Sequence, residues 1–129
     1  MRHRRHYTLD EARAQLHWVS DRLAAMRGAR ERLTDADARA ALAGGSGGNG
    51  GGALGKRVGE AFLDLQAGAE EMAERDIVLR DLDRGLVDFP ALRDGREVYL
   101  CWQVEEPEVG HWHAAETGYP SRLPLDPWL

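Results

Sequence analysis

The chain has 129 residues, which suits a single domain or one core with an appendage. Hydrophobic residues make up 43% and charged residues 30%, an ordinary balance for a globular protein, and no run approaches the ~20 apolar residues of a membrane span. The net charge is −5, and outside residues 1–6 there are 14 basic against 22 acidic residues, or −8. This acidic body disfavours general binding to nucleic acid.

The first six residues are basic, with three arginines and two histidines. No apolar run follows them, so we expect no secretory signal. We interpret residues 1–6 as a disordered arm that adds at most a weak contact to an acidic partner or a phosphate backbone. The single cysteine, Cys101, cannot form an internal disulfide, which favours a cytoplasmic location.

Residues 8–33 carry the pattern of a capped helix. Thr8 and Glu11 have the spacing of a capping box, and Tyr7 has the position of a hydrophobic staple. Apolar residues then recur at alternating steps of three and four, which is typical of a heptad stripe. The stripe consists of Leu9, Ala12, Leu16, Val19, Leu23, Met26 and Leu33. Thr34 and Asp35 could cap a second segment, so we expect a break or bend there.

A glycine-rich run at 44–52 predicts a flexible loop, and helical spacing resumes over residues 54–75. Two helices of similar length joined by a flexible loop indicate an antiparallel hairpin over residues 7–75. Such a hairpin leaves part of its apolar stripe uncovered, so we expect a homodimer that completes a coiled-coil-like four-helix bundle.

Residues 76–129 change to the short period of strands. We predict strands at 77–80, 86–89, 97–104 and 109–114, with Pro90 ending the second and a proline-containing tail forming a strap. Strands this short need a second layer, so the sheet should pack on the helices. The predicted fold class is α+β: a long antiparallel helical hairpin followed by a small antiparallel sheet of three to four strands.

The motifs of the chain resemble those of a bacterial family, the domain of unknown function 2203, over nearly the whole sequence. The segments concerned are Tyr7-Thr-Leu-Asp-Glu-Ala12, Asp81-x-x-x-Gly-Leu-Val-Asp-Phe-Pro90, Gly95-Arg-x-Val-x-Leu-Cys-Trp102, Glu106-Pro-x-x-x-x-Trp-His113 and Gly118-Tyr119. The resemblance implies no activity. It implies that six residues occupy motif positions: Asp88, Cys101, Trp102, Glu106, Trp112 and His113. His111 departs from the aromatic residue of that pattern, and Tyr119 replaces a more usual Phe.

These six residues are our candidates for a ligand site at the junction of sheet and helices. Cys101, His111 and His113 are also candidate ligands for Zn²⁺ or Fe²⁺. The geometry depends on strand register. If Val104 pairs with Val109, Cys101 lies opposite Trp112, whereas a slip of one residue places Cys101 opposite His113.

Each candidate has a second interpretation. Cys101 and His113 could form a nucleophile and base, or a buried thiol and a structural imidazole. Asp88 could pair with Arg96 or Arg122, or face solvent. The two tryptophans, Trp102 and Trp112, could form a platform for a flat ligand, or anchor a core.

A spacing of the phosphate-loop type, Gly50-x-x-x-x-Gly55-Lys56, is followed by Arg57 instead of Ser or Thr, and no strand precedes it. We therefore reject a nucleotide site there. The sequence favours a cytoplasmic binding or assembly protein with a ligand site in the sheet region. A small Zn- or Fe-dependent enzyme using the same residues is the first alternative, and a coiled-coil structural adaptor is the second.

Overall fold

The computed structural model describes residues 1–42 and 53–125, without the side chains of 37–42 and 53–54. The predicted glycine-rich loop at 44–52 lies outside the described residues. Two helices, α1 (Leu9–Leu42) and α2 (Ala53–Glu74), precede an antiparallel sheet. The sheet contains β1 (Val78–Asp81), β2 (Leu86–Arg93), β3 (Arg96–Gln103), β4 (His111–Ala114) and β5 (Leu123–Pro124), in that spatial order. The predicted α+β class is confirmed, with five strands in place of three or four.

The predicted capping box begins α1. The Thr8 hydroxyl accepts the Glu11 N–H at 3.1 Å, and the Glu11 carboxylate accepts the Thr8 N–H at 2.9 Å. Tyr7 is buried beside this cap and donates its hydroxyl hydrogen bond to the Arg75 carbonyl. The helix then continues through Thr34, whose hydroxyl donates to the Arg30 carbonyl at 3.1 Å. The predicted break at Thr34 is therefore wrong, because its side chain joins the preceding turn instead of capping a new one.

The helices cross as an antiparallel hairpin. Arg22 pairs with Glu71 at 2.9 Å and Arg32 pairs with Asp64 at 2.6 Å. The residue number rises along α1 while that of its partner on α2 falls, which shows that the helices are antiparallel. Between these pairs, Gly68 lies so close to the other helix that a Cβ atom there would be 2.5 Å from Cγ of Met26. The absence of a side chain at Gly68 is what allows the close contact.

The second strand runs through Pro90 to Arg93, so the prediction that Pro90 ends it is wrong. Pro90 pairs with Tyr99 on β3, whereas the pairing of β1 with β2 ends at Asp88, so Pro90 has no neighbouring strand on the β1 side. On that open side the Pro90 carbonyl accepts the Tyr7 N–H at 2.7 Å. A proline is tolerated here because no neighbouring strand requires its missing N–H.

The two faces of the sheet have different partners. The face carrying Val87, Phe89 and Leu100 packs on the helices and forms the apolar core. The opposite face carries Asp88 and Cys101, and we call it the polar face. The alternation predicted for residues 97–104 is observed, yet both faces of β2 and β3 are largely buried.

Both ends of the described chain contact the polar face. His3 hydrogen bonds through Nε2 to the Tyr99 hydroxyl at 2.8 Å, and the N–H groups of Arg2 and His3 donate to Glu97 at 3.1 Å. Near the other end, the Tyr119 hydroxyl donates to the Gln103 side chain at 3.2 Å. The expectation of a disordered arm at residues 1–6 is corrected, because Glu97 and neighbouring groups hold this segment on the sheet.

Candidate functional site

Asp88 is the centre of the polar face. It lies on β2, the second strand of the sheet, and is only 2% exposed. Its Oδ2 accepts hydrogen bonds from Arg80 Nε at 2.8 Å and from His113 Nε2 at 2.9 Å. Its Oδ1 is buried and has no hydrogen-bond partner among the residues that the structure describes. A buried carboxylate oxygen without a partner costs free energy, so this atom marks a position where a partner is needed.

The partner of Asp88 differs from both arginines predicted from the sequence. The β1–β2 register shifts between Leu79 and Asp81, which makes Arg80 the extra residue of a β-bulge. Its guanidinium contacts Asp88 and lies 4.9 Å from the centre of the Tyr99 ring. Bulges are not visible in an alternating sequence pattern, which is why Arg80 was missed.

His113 is buried on β4 with both ring nitrogens beside acceptors. Nδ1 lies 2.8 Å from the Ala114 carbonyl, and Nε2 lies 2.9 Å from Asp88. Burial acts to lower the pKa of His113, but the bonds to Asp88 and Ala114 outweigh it and raise this pKa above its ordinary value. A protonated imidazole would donate to both acceptors, which is the physical reason for the upward shift.

Cys101 lies directly opposite Asp88 on β3 and is fully buried. Burial and then the charge of Asp88 raise the pKa of its thiol to about 12, although Arg122, with Nη1 4.0 Å from Sγ, acts to lower it. The thiol is therefore protonated at neutral pH. This argues against the predicted Cys101–His113 nucleophile and base acting on their own, because the thiolate is the reactive form.

The three side chains form one cluster. One potential ligand atom from each of Asp88, Cys101 and His113 lies within 4.8 Å of the others. The β3–β4 register pairs Tyr99 with His113 and Cys101 with His111, so neither register considered from the sequence is correct. The observed register nevertheless places the thiol and both imidazoles on one face, because all four paired residues have the same parity.

His111 does not join the Asp88–Cys101–His113 cluster. Its Nδ1 lies 3.3 Å from Oε2 of Glu106 without forming a hydrogen bond. The Oε1 atom of Glu106 accepts the Gln103 N–H at 2.8 Å and Arg122 Nη1 at 2.9 Å. Glu106 therefore forms an ion pair with Arg122, the arginine beside Cys101. These residues make a second polar cluster at the end of β3.

The two tryptophans lie on the opposite, helix-facing side of the sheet. Trp102 is 2% exposed and donates its indole N–H to the Glu106 carbonyl at 3.1 Å, while Trp112 packs against the core. They therefore anchor the core and do not form a platform with Asp88. The predicted location at the junction of sheet and helices is also wrong, because the Asp88–Cys101–His113 cluster lies on the face away from the helices.

A small cavity adjoins Asp88. It has a volume of about 210 Å³, and its wall includes Arg2, Arg80 and Asp88. Residues of the β4–β5 connection complete it, among them Thr117, Gly118 and Tyr119.

Within residues 1–42 and 53–125, neither helix combines enough length and apolarity to span a bilayer.

The fold and the site together define an α+β protein with a buried Asp–Cys–His cluster, on the face of the sheet contacted by segments near both ends of the described chain. The chain belongs to the domain of unknown function 2203 family, described as an uncharacterised conserved protein, whose model matches residues 5–125. The family predicted from the motifs is thus confirmed. Comparisons with curated proteins and with solved structures gave no match.

Proposed function

We propose that this protein binds a small ligand in the cavity beside Asp88, on the polar face of the sheet. The observation that carries the proposal is the buried Oδ1 of Asp88, which has no hydrogen-bond partner within residues 1–42 and 53–125 and belongs to a residue of the cavity wall. Buried polar groups are normally paired, and an exception beside a cavity is best explained by a ligand.

The charges around the cavity favour a ligand with an anionic group. Arg2 and Arg80 both contribute to the wall, and Arg80 is held in place by its bond to Asp88. Guanidinium groups bind phosphate and carboxylate through paired N–H donors. The ligand we propose therefore places a hydrogen-bond donor at Oδ1 of Asp88 and an anionic group against the arginines.

Thermal unfolding of the full chain in sodium phosphate, compared with sodium chloride at equal ionic strength, tests this proposal. We expect phosphate to raise the melting temperature in a saturable manner, because a ligand that binds only the folded state stabilises it. Arg80→Gln should abolish the phosphate-specific increase relative to its own value in chloride. Arg57→Gln, an exposed arginine of α2, is the matched control and should retain it.

Equal melting temperatures in phosphate and chloride would contradict binding of an anion at this cavity. A phosphate effect that persists in Arg80→Gln would place the anion elsewhere on the molecule.

Assembly through the helices is a second role that one observation favours. Phe62 and Leu63 are adjacent on α2, and each is 61% exposed. Two large apolar side chains side by side on a helix suit a surface that a second copy covers, as in the homodimer expected from the sequence. We retain this as a proposal for the assembly of the protein, in the cytoplasm as the single cysteine suggests.

A further inference from the structure

We infer that Asp88, Cys101 and His113 form a binding site for a soft divalent transition-metal cation, with Zn²⁺ as the best fit. The inference rests on the proposed function in one respect, because it adds a cation to the ligand site that we propose at Asp88. Three protein ligands would leave a fourth position, which we place on the side of Asp88 because Asp88 is the one of the three that lines the cavity.

The distances between the three side chains suit a small ion after a modest adjustment. One candidate ligand atom from each residue lies within 4.8 Å of the others. Bonds of ~2.0–2.3 Å in a tetrahedral zinc site imply ligand atoms about 3.5 Å apart. Side-chain rotations that move the ligand atoms by about 1 Å would therefore bring them to bonding distance of the ion.

The surrounding hydrogen bonds already orient two of the ligands. The Ala114 carbonyl accepts a hydrogen bond from Nδ1–H of His113. Nε2, which donates to Asp88 Oδ2 in this structure, is the nitrogen that binds the metal once it has lost its proton and given up that hydrogen bond. Arg80 holds Oδ2 of Asp88, while Oδ1 has no partner within the described part of the chain. Supporting hydrogen bonds of this kind are typical around metal ligands, and the unpaired Oδ1 supplies the oxygen donor.

The chemistry of the donors selects the type of cation. A thiolate together with an imidazole suits Zn²⁺ and other soft cations, whereas Mg²⁺ and Ca²⁺ prefer oxygen ligands alone. Binding would release the thiol proton of Cys101 and the Nε2 proton of His113 to solvent. The deprotonated thiol and Asp88 then balance the two charges of the ion.

The remaining charge agrees with an anion at the open position. Arg122 is paired with Glu106, so its charge is already compensated. Arg80 contributes a further positive charge beside the Asp88 carboxylate once that carboxylate is shared with the metal. An anionic fourth ligand entering from the cavity would restore balance, which connects the metal site with the anion site proposed above.

Titration of the chelator-treated full chain with Co²⁺ tests the inference, because cobalt reports both geometry and sulfur ligation. We expect saturation at one equivalent, with the intense visible bands of a tetrahedral site and a near-ultraviolet charge-transfer band from the thiolate. One equivalent of Zn²⁺ should remove both signals. Cys101→Ser should lose the charge-transfer band, and His111→Asn, which alters a histidine outside the cluster, should keep it.

A folded wild-type protein that gives no such bands, or a charge-transfer band that survives in Cys101→Ser, would overturn the inference. If Cys101→Ser does not fold, X-ray absorption of the wild-type protein with one equivalent of Zn²⁺ decides the question. One sulfur in the zinc shell supports the site, and a shell of nitrogen and oxygen alone contradicts it.

The failures of the two proposals are distinguishable. Phosphate-specific stabilisation without cobalt or zinc binding would leave the proposed anion site standing and remove only the metal. Sulfur-ligated metal without any phosphate effect would leave the metal site and remove the anion.

Discussion

Asp88 is the shared neighbour of three side chains on the polar face. It accepts hydrogen bonds from Arg80 and His113 and lies opposite Cys101 on the neighbouring strand. Because Asp88 and His113 are each 2% exposed, water cannot replace either partner. The position of this one carboxylate therefore acts to raise the pKa of both the His113 ring and the Cys101 thiol.

Replacing Asp88 should have a large effect on stability even without any ligand. We expect Asp88→Ala to lower the free energy of unfolding of the chelator-treated protein by about 3 to 5 kcal/mol, since it leaves a buried imidazole without its partner. Urea denaturation followed by circular dichroism measures the change.

The exposed acidic residue Glu31 provides the control for this measurement. Glu31→Ala should change the free energy of unfolding by no more than about 0.5 kcal/mol, as surface substitutions usually do. A loss below about 1 kcal/mol for Asp88→Ala would show that the buried interactions of Asp88 contribute little.

Much of the residue-level chemistry could be predicted from the sequence, but its arrangement could not. The sequence identified Cys101 and His113 as candidates but left open whether they share a face, because it did not fix the strand register; the observed register places both on one face. The identity of Asp88's partner depended on a β-bulge at Arg80, and the separation of Trp102 from the Asp88–Cys101–His113 cluster depended on which face the helices cover. Neither property follows from the local pattern of apolar and polar residues.

Two glycines in the same helix allow a direct test of how α1 and α2 pack. A Cβ atom at Gly68 would lie 2.5 Å from Met26 Cγ, whereas one at Gly59 would meet nothing within 4 Å. We expect Gly68→Ala to destabilise the protein by about 1 to 3 kcal/mol through overpacking. Gly59→Ala should stabilise it by up to about 1 kcal/mol through higher helix propensity.

Thermal or urea unfolding of the two variants provides the comparison. Equal stabilisation by both substitutions would mean that the helices do not approach one another closely at Gly68.

The N-terminal arm should depend on pH through the two carboxylates that hold it. Burial acts to raise the pKa values of Asp76 and Glu97, but hydrogen bonds from His3, His6 and the backbone outweigh it and lower both below their ordinary values. A carboxyl group with a lowered folded-state pKa stabilises the fold above its unfolded-state pKa, and this stabilisation is lost as the pH falls toward the lower value. The arm should therefore loosen below about pH 4.5.

Melting temperatures of the wild type and Glu97→Gln at pH 6 and pH 3 measure this contribution. We expect a clear difference at pH 6 that shrinks at pH 3. Glu108→Gln, at a carboxylate that is 62% exposed, should show little difference at either pH. A melting-temperature difference between the wild type and Glu97→Gln that is larger at pH 3 than at pH 6 would contradict the stabilising role of the ionised Glu97 carboxylate.

At the scale of the elements, the sequence was most reliable where periodicity is strong. The capping box at Thr8, the stripe of α1 and the alternation of β3 all appear as predicted. The predictions were wrong where a tertiary contact overrides the local sequence pattern. At Pro90, for example, the carbonyl accepts a hydrogen bond from the Tyr7 N–H. The arm at residues 1–6 is another such place, since Asp76 and Glu97 bind it across long stretches of sequence.

At the scale of the whole molecule, the sheet is an intermediate layer. The helices cover one face of the sheet, and segments near both ends of the described chain contact the other, polar face. The polar face is therefore largely buried and not open to solvent. This arrangement explains how a sheet of five short strands can carry buried charge. It also leaves the outer side of α2, with Phe62 and Leu63, as the most apolar surface that we identify in the described helices.

That surface predicts self-association. We expect light scattering during size-exclusion chromatography to give the mass of a dimer at micromolar concentration, and Phe62→Glu to convert it to a monomer by placing a charge in the apolar contact. Ala14→Glu adds the same charge to an exposed position of α1 and should leave the dimer intact. A monomeric wild-type protein would remove the dimer and leave the site on the polar face unaffected.

A crystal structure of the protein grown with zinc and phosphate tests the polar-face site most directly, with anomalous scattering recorded at the zinc edge. We predict an anomalous peak bonded to Asp88 Oδ1, Cys101 Sγ and His113 Nε2, with an anion in the cavity beside Arg80. A cavity that holds only water, with no scatterer at the three side chains, would contradict the account.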